Sequence, residues 1–235
     1  MRVALLRHNK ESERVMPNWC WNDITITGKT EEIDKLRADA KGPQEIEYKD
    51  FHKAFNGKEI DVVPIEDLEQ FVKNPAPYGS DEIEFSFHKL APLPDSTRCF
   101  PYDPNQTKKI CDRLGIDQVM SGYNAEYATW GTKWGADFEV DEVDTGHPEY
   151  SGINLSGETA WGPADEFFIR VAKAYPDLFI QCSYSEPGMG FVGEFQAWDG
   201  KIQYYFIKEH DAALRTEGER IPRQGIPLEY EEAAQ

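Results

Sequence analysis

Residues 178–207 constrain the fold of this chain more than any other stretch. Leu178-Phe179-Ile180-Gln181-Cys182-Ser183-Tyr184 reads as a strand, and Glu186-Pro187-Gly188-Met189-Gly190 as a loop. Phe191-Val192-Gly193-Glu194-Phe195-Gln196-Ala197-Trp198 is the next strand. Asp199-Gly200 then supplies two residues that tolerate positive φ, the requirement of a two-residue hairpin, and Ile202 to Ile207 returns. Strands joined so closely in sequence pair antiparallel, so the molecule is built on an antiparallel sheet.

The rest of the chain supplies helices and further strands. Ile24-Thr25-Ile26-Thr27 alternates up to Gly28, and Thr30 is the expected cap of a helix that turns Ile33, Leu36 and Ala40 inward. Residues 41–82, broken by Gly42-Pro43, Pro64, Pro75 and Pro77, read as an insertion, packed on the sheet or mobile, with a helix over 65–72. Ile83, Phe85 and Phe87 alternate as a strand, and 103–119 is helical with Ile110 and Leu114 inward. Phe138, Val140 and Val143 mark a third strand, and 154–161 a short strand and turn. Pro163 opens a helix carrying Phe167, Phe168, Val171 and Ala172. The order β-α-β, then β-α-β-β-β, predicts an α+β fold: a ferredoxin-like antiparallel sheet with helices packed on one face, plus the inserted segment. The other face is expected to be open and rich in aromatics. The expected organisation is an N-terminal extension at 1–15, a single domain at 16–210 and a polar tail at 211–235. Met16 reads as a second beginning of the chain.

Aromatic residues make up 13% of the chain, enough to fill a core and to favour sheet. Lys and Arg number 25 against 43 Asp and Glu, a net charge of -18. That charge speaks against nucleic acid and anionic membrane as partners and for a protein with a basic surface. No run reaches the roughly 18 apolar residues of a membrane span. Cys20, Cys99, Cys111 and Cys182 form no CxxC pair, and the five histidines lack metal-ligand spacing, so neither metal nor cofactor is expected. No nucleophile elbow or phosphate-cradling glycine motif is present, which leaves catalytic residues unassigned and an enzyme uncertain. Cytoplasmic localisation is the expectation.

Trp130-Gly131-Thr132-Lys133-Trp134 is the candidate site. A four-residue separation puts both indoles on one side in a strand or a helix, where they either seal a core edge or form a binding surface with Lys133. Asn18, Trp19 and Trp161 join the candidate ligand- or partner-binding residues, although Trp161 before Pro163 also suits a helix staple.

Met16-Pro17-Asn18-Trp19-Cys20-Trp21-Asn22, the strand ending at Gly28, Pro92-Leu93-Pro94 and the Trp130–Trp134 run together resemble one family: the Api92-like proteins with a YubB-type ferredoxin-like domain, found on phages and plasmids. Ala160-Trp161-Gly162-Pro163 and Glu186-Pro187-Gly188-Met189-Gly190 are also similar. The chain departs from the family pattern at Thr129, where Asn is usual, and at Gly135, where Asp is usual. The resemblance implies the ferredoxin-like fold and a mobile-element origin, and no established activity. The resulting expectation is an acidic interaction protein that binds a host or defence protein, with inhibition of that protein as one form the binding takes. The alternative is a small-ligand, nucleotide-like site, or an enzyme, near the Trp-Gly-Thr-Lys-Trp motif.

Overall fold

The computed structural model describes residues 18–209. The extension at 1–15, the Met16 start and the tail at 211–235 lie outside them. Strand β1 (Trp19–Lys29) leads directly into helix α1 (Thr30–Ala40). Lys29 occupies the cap position and makes no side-chain cap bond, so Thr30 is the first helical residue and not the cap. Glu31 and Glu32 in the first turn and Arg37 in the last complement the helix dipole instead.

A long helical segment follows: β2 (Gly42–Pro43), α2 (Phe51–Ala54), a 3₁₀ turn at Ile60–Val62, α3 (Ile65–Phe71), β3 (Glu82–Ile83), α4 (Phe87–Leu90), α5 (Asp95–Arg98), α6 (Pro104–Leu114) and α7 (Gly122–Trp130). β2 and β3 pair with each other and not with the main sheet. The expected strand through Ile83, Phe85 and Phe87 is cut short because Ser86 caps α4: its hydroxyl accepts from the Lys89 N–H, and Phe87 is already helical. α6 matches its sequence signals, with the Asp103 side chain at the N-cap and Gly115 left-handed at the C-cap (φ 65°).

The chain then returns to the sheet through β4 (Glu139–Val143), β5 (Tyr150–Ala160), α8 (Asp165–Ala174), β6 (Phe179–Glu186), β7 (Phe191–Trp198) and β8 (Lys201–Glu209). The six strands stand in the order β4-β5-β1-β6-β7-β8, every neighbour antiparallel. Taking β1, β4, β5 and β6 in chain order, their spatial order is 4-1-3-2, with α1 and α8 as the two crossover helices. That is the ferredoxin-like arrangement, extended at one edge by the β7–β8 hairpin. Asp199 (φ 51°) and Gly200 (φ 74°) close that hairpin in the left-handed region, as their sequence demands.

One sheet face is the core. Cys20, Ile24, Ile26, Ile153, Leu155, Ile180, Cys182, Phe195 and Ala197 meet Ile33 and Leu36 of α1 and Phe167, Phe168 and Val171 of α8. Phe87 stacks flat on Phe167, ring centres 3.7 Å apart, and brings the helical segment onto this core. Burying such a side chain contributes about 1.5–3 kcal/mol. A second cluster of Phe51, Ile60, Val63, Leu68, Phe100, Ile110 and Cys111 lies within the helical segment. Arg113 staples that cluster by donating to the carbonyls of Ile60 (2.6 Å) and Val63 (2.9 Å).

The opposite face carries Trp19, Trp21, Asp23, Thr25 and Thr27 of β1, because period-two alternation turns the buried Cys20, Asn22, Ile24 and Ile26 the other way. No described helix packs there. Its central strands are polar and acidic, which narrows the expectation of an aromatic-rich face to its ends and one edge. Across the strands, Asp23 faces Ser156 and then Glu139 on one side, and Ser183 and then Glu194 on the other. Aromatic residues surround that centre: Trp19 and Trp21 at one end, Phe179 and Trp198 (ring centres 5.6 Å apart) at the other, and Tyr204 and Phe206 on the β8 edge, opposite Gln196 and Glu194.

Candidate functional site

The Trp130–Trp134 run sits where α7 ends, and its two indoles part company there. Trp130 is the last helical residue and is fully buried; its indole N–H donates to the Ala91 carbonyl (2.9 Å), and its ring meets Phe87 and His88 edge-on. Burial lowers the pKa of that histidine to about 4. Gly131 then adopts φ 76°, which reverses the chain at the helix end. Thr132, fully buried, pins the loop by donating to the Ala160 carbonyl at the end of β5 (2.9 Å). Trp134 (φ 65°) and Gly135 (φ 65°) complete the reversal, and Trp134 emerges 44% exposed. The same-side expectation is therefore corrected. A helix stop between the two tryptophans sends Trp130 to the core and Trp134 to the surface, and Trp130 has no surface left to offer a ligand.

Of the sequence candidates, Trp19, Lys133, Trp134 and Trp161 come together. The Trp19 and Trp134 ring centres are 6.3 Å apart at 52°. The Lys133 amine lies 4.6 Å from the Tyr123 ring centre, 5.3 Å from Trp134 and 5.4 Å from Trp161. Three rings thus share one cation by cation–π attraction. Three ion pairs exist among the described residues and none includes Lys133. Asn18 contributes through its backbone: its carbonyl accepts the Trp161 N–H (2.8 Å), which ties the start of β1 to the left-handed Trp161 (φ 71°) after β5. The Glu186–Gly190 loop closes on the same end. The buried Glu186 carboxylate accepts the N–H groups of Gly188 and Met189, and a Cβ at Gly188 would stand 2.8 Å from the Asn18 side chain.

Sequence reasoning missed the residue beneath this surface. Glu126 on α7 is only 2% exposed, and its carboxylate accepts three hydrogen bonds: from the hydroxyls of Tyr48 (3.2 Å) and Tyr102 (3.0 Å), and from the Trp134 N–H (2.9 Å). Burial raises its pKa to about 7, against the lowering effect of the three donors and of Lys133. Burial and the Glu126 charge push both tyrosines well above the usual phenol range. Tyr123 and Tyr127, four apart on α7 and 37% and 58% exposed, widen the aromatic patch. The signal for all three was the unrecognised helix at 122–130, whose start is marked by the Ser121 side chain accepting the Asn124 N–H.

A groove of about 430 Å³ lined by Pro92, Thr129, Arg170 and Lys173, and a smaller one near Arg37 and Val140, lie apart from the aromatic cluster. Among the described residues no helix is long and apolar enough to cross a membrane. The four cysteines are free, three of them buried, and burial pushes the Cys20 thiol up to about 12.

Fold and site together define an α+β protein of ferredoxin-like type with an aromatic cluster at one end of its sheet. Residues 129–221 match the family model described as the ferredoxin-like domain in Api92-like protein. The match takes in the Trp130–Trp134 run, Trp161 and the Glu186–Gly190 loop. A crystal structure of a protein api92 from Yersinia pseudotuberculosis is similar, with a TM-score of 0.49 and 10% identity over 82% of this chain and 98% of that one. No curated protein matches the chain.

Proposed function

We propose that this chain is a protein-binding module of mobile-element origin whose contact surface is the tryptophan end of the sheet and the acidic face continuous with it. The observation that carries the reading is the exposure of Trp19, Trp21 and Trp134 (42%, 50% and 44%) beside an acidic face on which no described helix packs. Interface hot spots are enriched in Trp and Tyr because large, stiff rings bury much area at small entropic cost. From Trp21 the face runs into Glu158 opposite it, then Asp23, Glu139, Asp141 and Glu194. No Lys or Arg stands at the outward positions of β1, β4, β5, β6 and β7 between the Trp21 and Thr27 rows. A basic protein surface, such as one on a host or defence protein, is the complementary partner, and the net charge of -18 steers the encounter. A caged cationic ligand is disfavoured because the Lys133 ammonium already engages the Tyr123, Trp134 and Trp161 rings.

Capture from host lysate on the immobilised full chain tests the reading, run in parallel with a Trp19→Ala/Trp134→Ala variant and a Glu158→Lys variant. The expected result is a basic protein retained by the wild type, released as salt rises and lost by both variants. Equal retention by all three forms overturns the proposal. Quenching of tryptophan fluorescence by a nucleotide, with no protein retained, favours the small-ligand alternative.

A further inference from the structure

The tryptophan face is held from below by groups drawn from four separate stretches of chain. Tyr48 precedes α2, Tyr102 precedes α6, Glu126 lies on α7 and Trp134 follows it. Glu126 Oε1 accepts from Tyr48, while Oε2 accepts from both Tyr102 and the Trp134 backbone. Trp134 needs such a hold, because its left-handed conformation (φ 65°) is unfavourable for a residue other than glycine. We propose that Glu126 is the positioning residue of this face: its buried carboxylate gathers the two tyrosine hydroxyls and the Trp134 N–H, fixes Trp134 against Trp19, and makes the presentation of that pair depend on its own protonation. The proposal rests on the reading of this face as the binding surface and names how that surface is regulated.

The surroundings of Glu126 set the direction. Tyr48 and Tyr102 face it as neutral donors, Lys133 is the cation that acts on it, Arg98 and Tyr78 act on Tyr48, and Tyr123 acts on Tyr102. An ionised carboxylate accepts all three donors in charge-assisted bonds, roughly twice as strong as neutral ones. A protonated carboxyl turns one oxygen into a donor and weakens its grip on the others. Because burial places the titration near neutrality, the Trp134 hold is full above about pH 7 and loosens below it.

Two indoles 6.3 Å apart couple their electronic transitions, and circular dichroism reads the coupling as a couplet that Trp19→Phe identifies by removing it. In the wild-type full chain the couplet should be complete in alkaline buffer and lose most of its amplitude on acidification, with a midpoint near 7. Glu126→Gln should show a reduced couplet that no longer changes with pH. A couplet indifferent to pH in the wild type, or an unaltered profile in a folded Glu126→Gln chain, overturns the proposal. Should that variant fail to fold, Tyr48→Phe keeps the ring contact with Tyr102 (centres 5.1 Å apart) and removes one donor, so the midpoint must move up. An unmoved midpoint counts equally against Glu126. The optical signal needs no partner, so a lost partner with an intact couplet profile defeats only the binding function.

Discussion

Glu126 and the two tryptophans flanking the Gly131 turn show how far single side chains are set by their surroundings. Burial raises the Glu126 pKa from 4.5 to about 7, so between those values the folded chain holds a proton that the unfolded chain has released. Its stabilising contribution is complete below pH 4.5 and is lost as pH rises through 7. The cost of charging it is on the order of 3 kcal/mol. Denaturant melts of the wild type should therefore show less stability at alkaline than at acid pH from this group, and Glu126→Gln should remove that component of the difference. Trp130→Ala should cost about 3–5 kcal/mol in the same melts, because it opens a cavity against Phe87 and His88 and orphans the Ala91 carbonyl. Trp134→Gly removes an exposed ring and relieves a left-handed residue, so its stability should lie within about 1 kcal/mol of wild type. Similar destabilisation by both variants would contradict the assignment of one indole to core and the other to surface.

Among the elements, the C-terminal hairpin and α8 were the most legible. Asp199-Gly200 specifies its turn through φ alone, and the paired phenylalanines of α8 repeat at helical spacing, so each signal is local. α7 was not legible. It begins with Gly122, a poor helix former, and its weak amphipathic pattern turns Glu126 inward among tyrosines that lie 78 and 24 residues away. Phe85 and Phe87 mimicked strand alternation, yet both are buried beside a capped helix turn, since two large apolar residues two apart fit either geometry. Gly193 tests the added β7–β8 hairpin. A Cβ there would collide with the Phe206 carbonyl and the Tyr184 ring. Gly193→Ala should destabilise by about 1–3 kcal/mol, with hydrogen exchange accelerated first along β8. Unchanged protection of β8 would show that the hairpin tolerates that contact.

At the scale of the whole molecule, charge and architecture act together. The helices cover one sheet face, so outward carboxylates of β1, β4, β5 and β7 share the other, in the Asp23 row with a serine between each and the next. The like charges repel, and screening them should help the isolated chain. Added salt should therefore raise its thermal midpoint while weakening capture of a basic partner. Replacing Asp23, Glu158 and Glu194 together by Lys should slow association far more than it changes dissociation, as stopped-flow or surface-binding kinetics would read. Equal changes in both rates would place the contact elsewhere.

Local periodicity and turn chemistry are enough to mark β1, α1, α6, α8 and the β6–β8 meander along the chain. The sequence also offered Asn18, Trp19, Trp130, Lys133, Trp134 and Trp161 as candidates, through motifs that resemble a family, without separating Trp130 from the rest. Only the tertiary structure decided that Trp130 is core and Trp134 surface, because one left-handed glycine and a threonine pinned to β5 redirect the chain between them. It alone placed Tyr48, Tyr102 and Glu126 beneath the site. Hydrogen bonds between residues so far apart in sequence leave no periodic trace in it, and form only when the helical segment packs against the sheet.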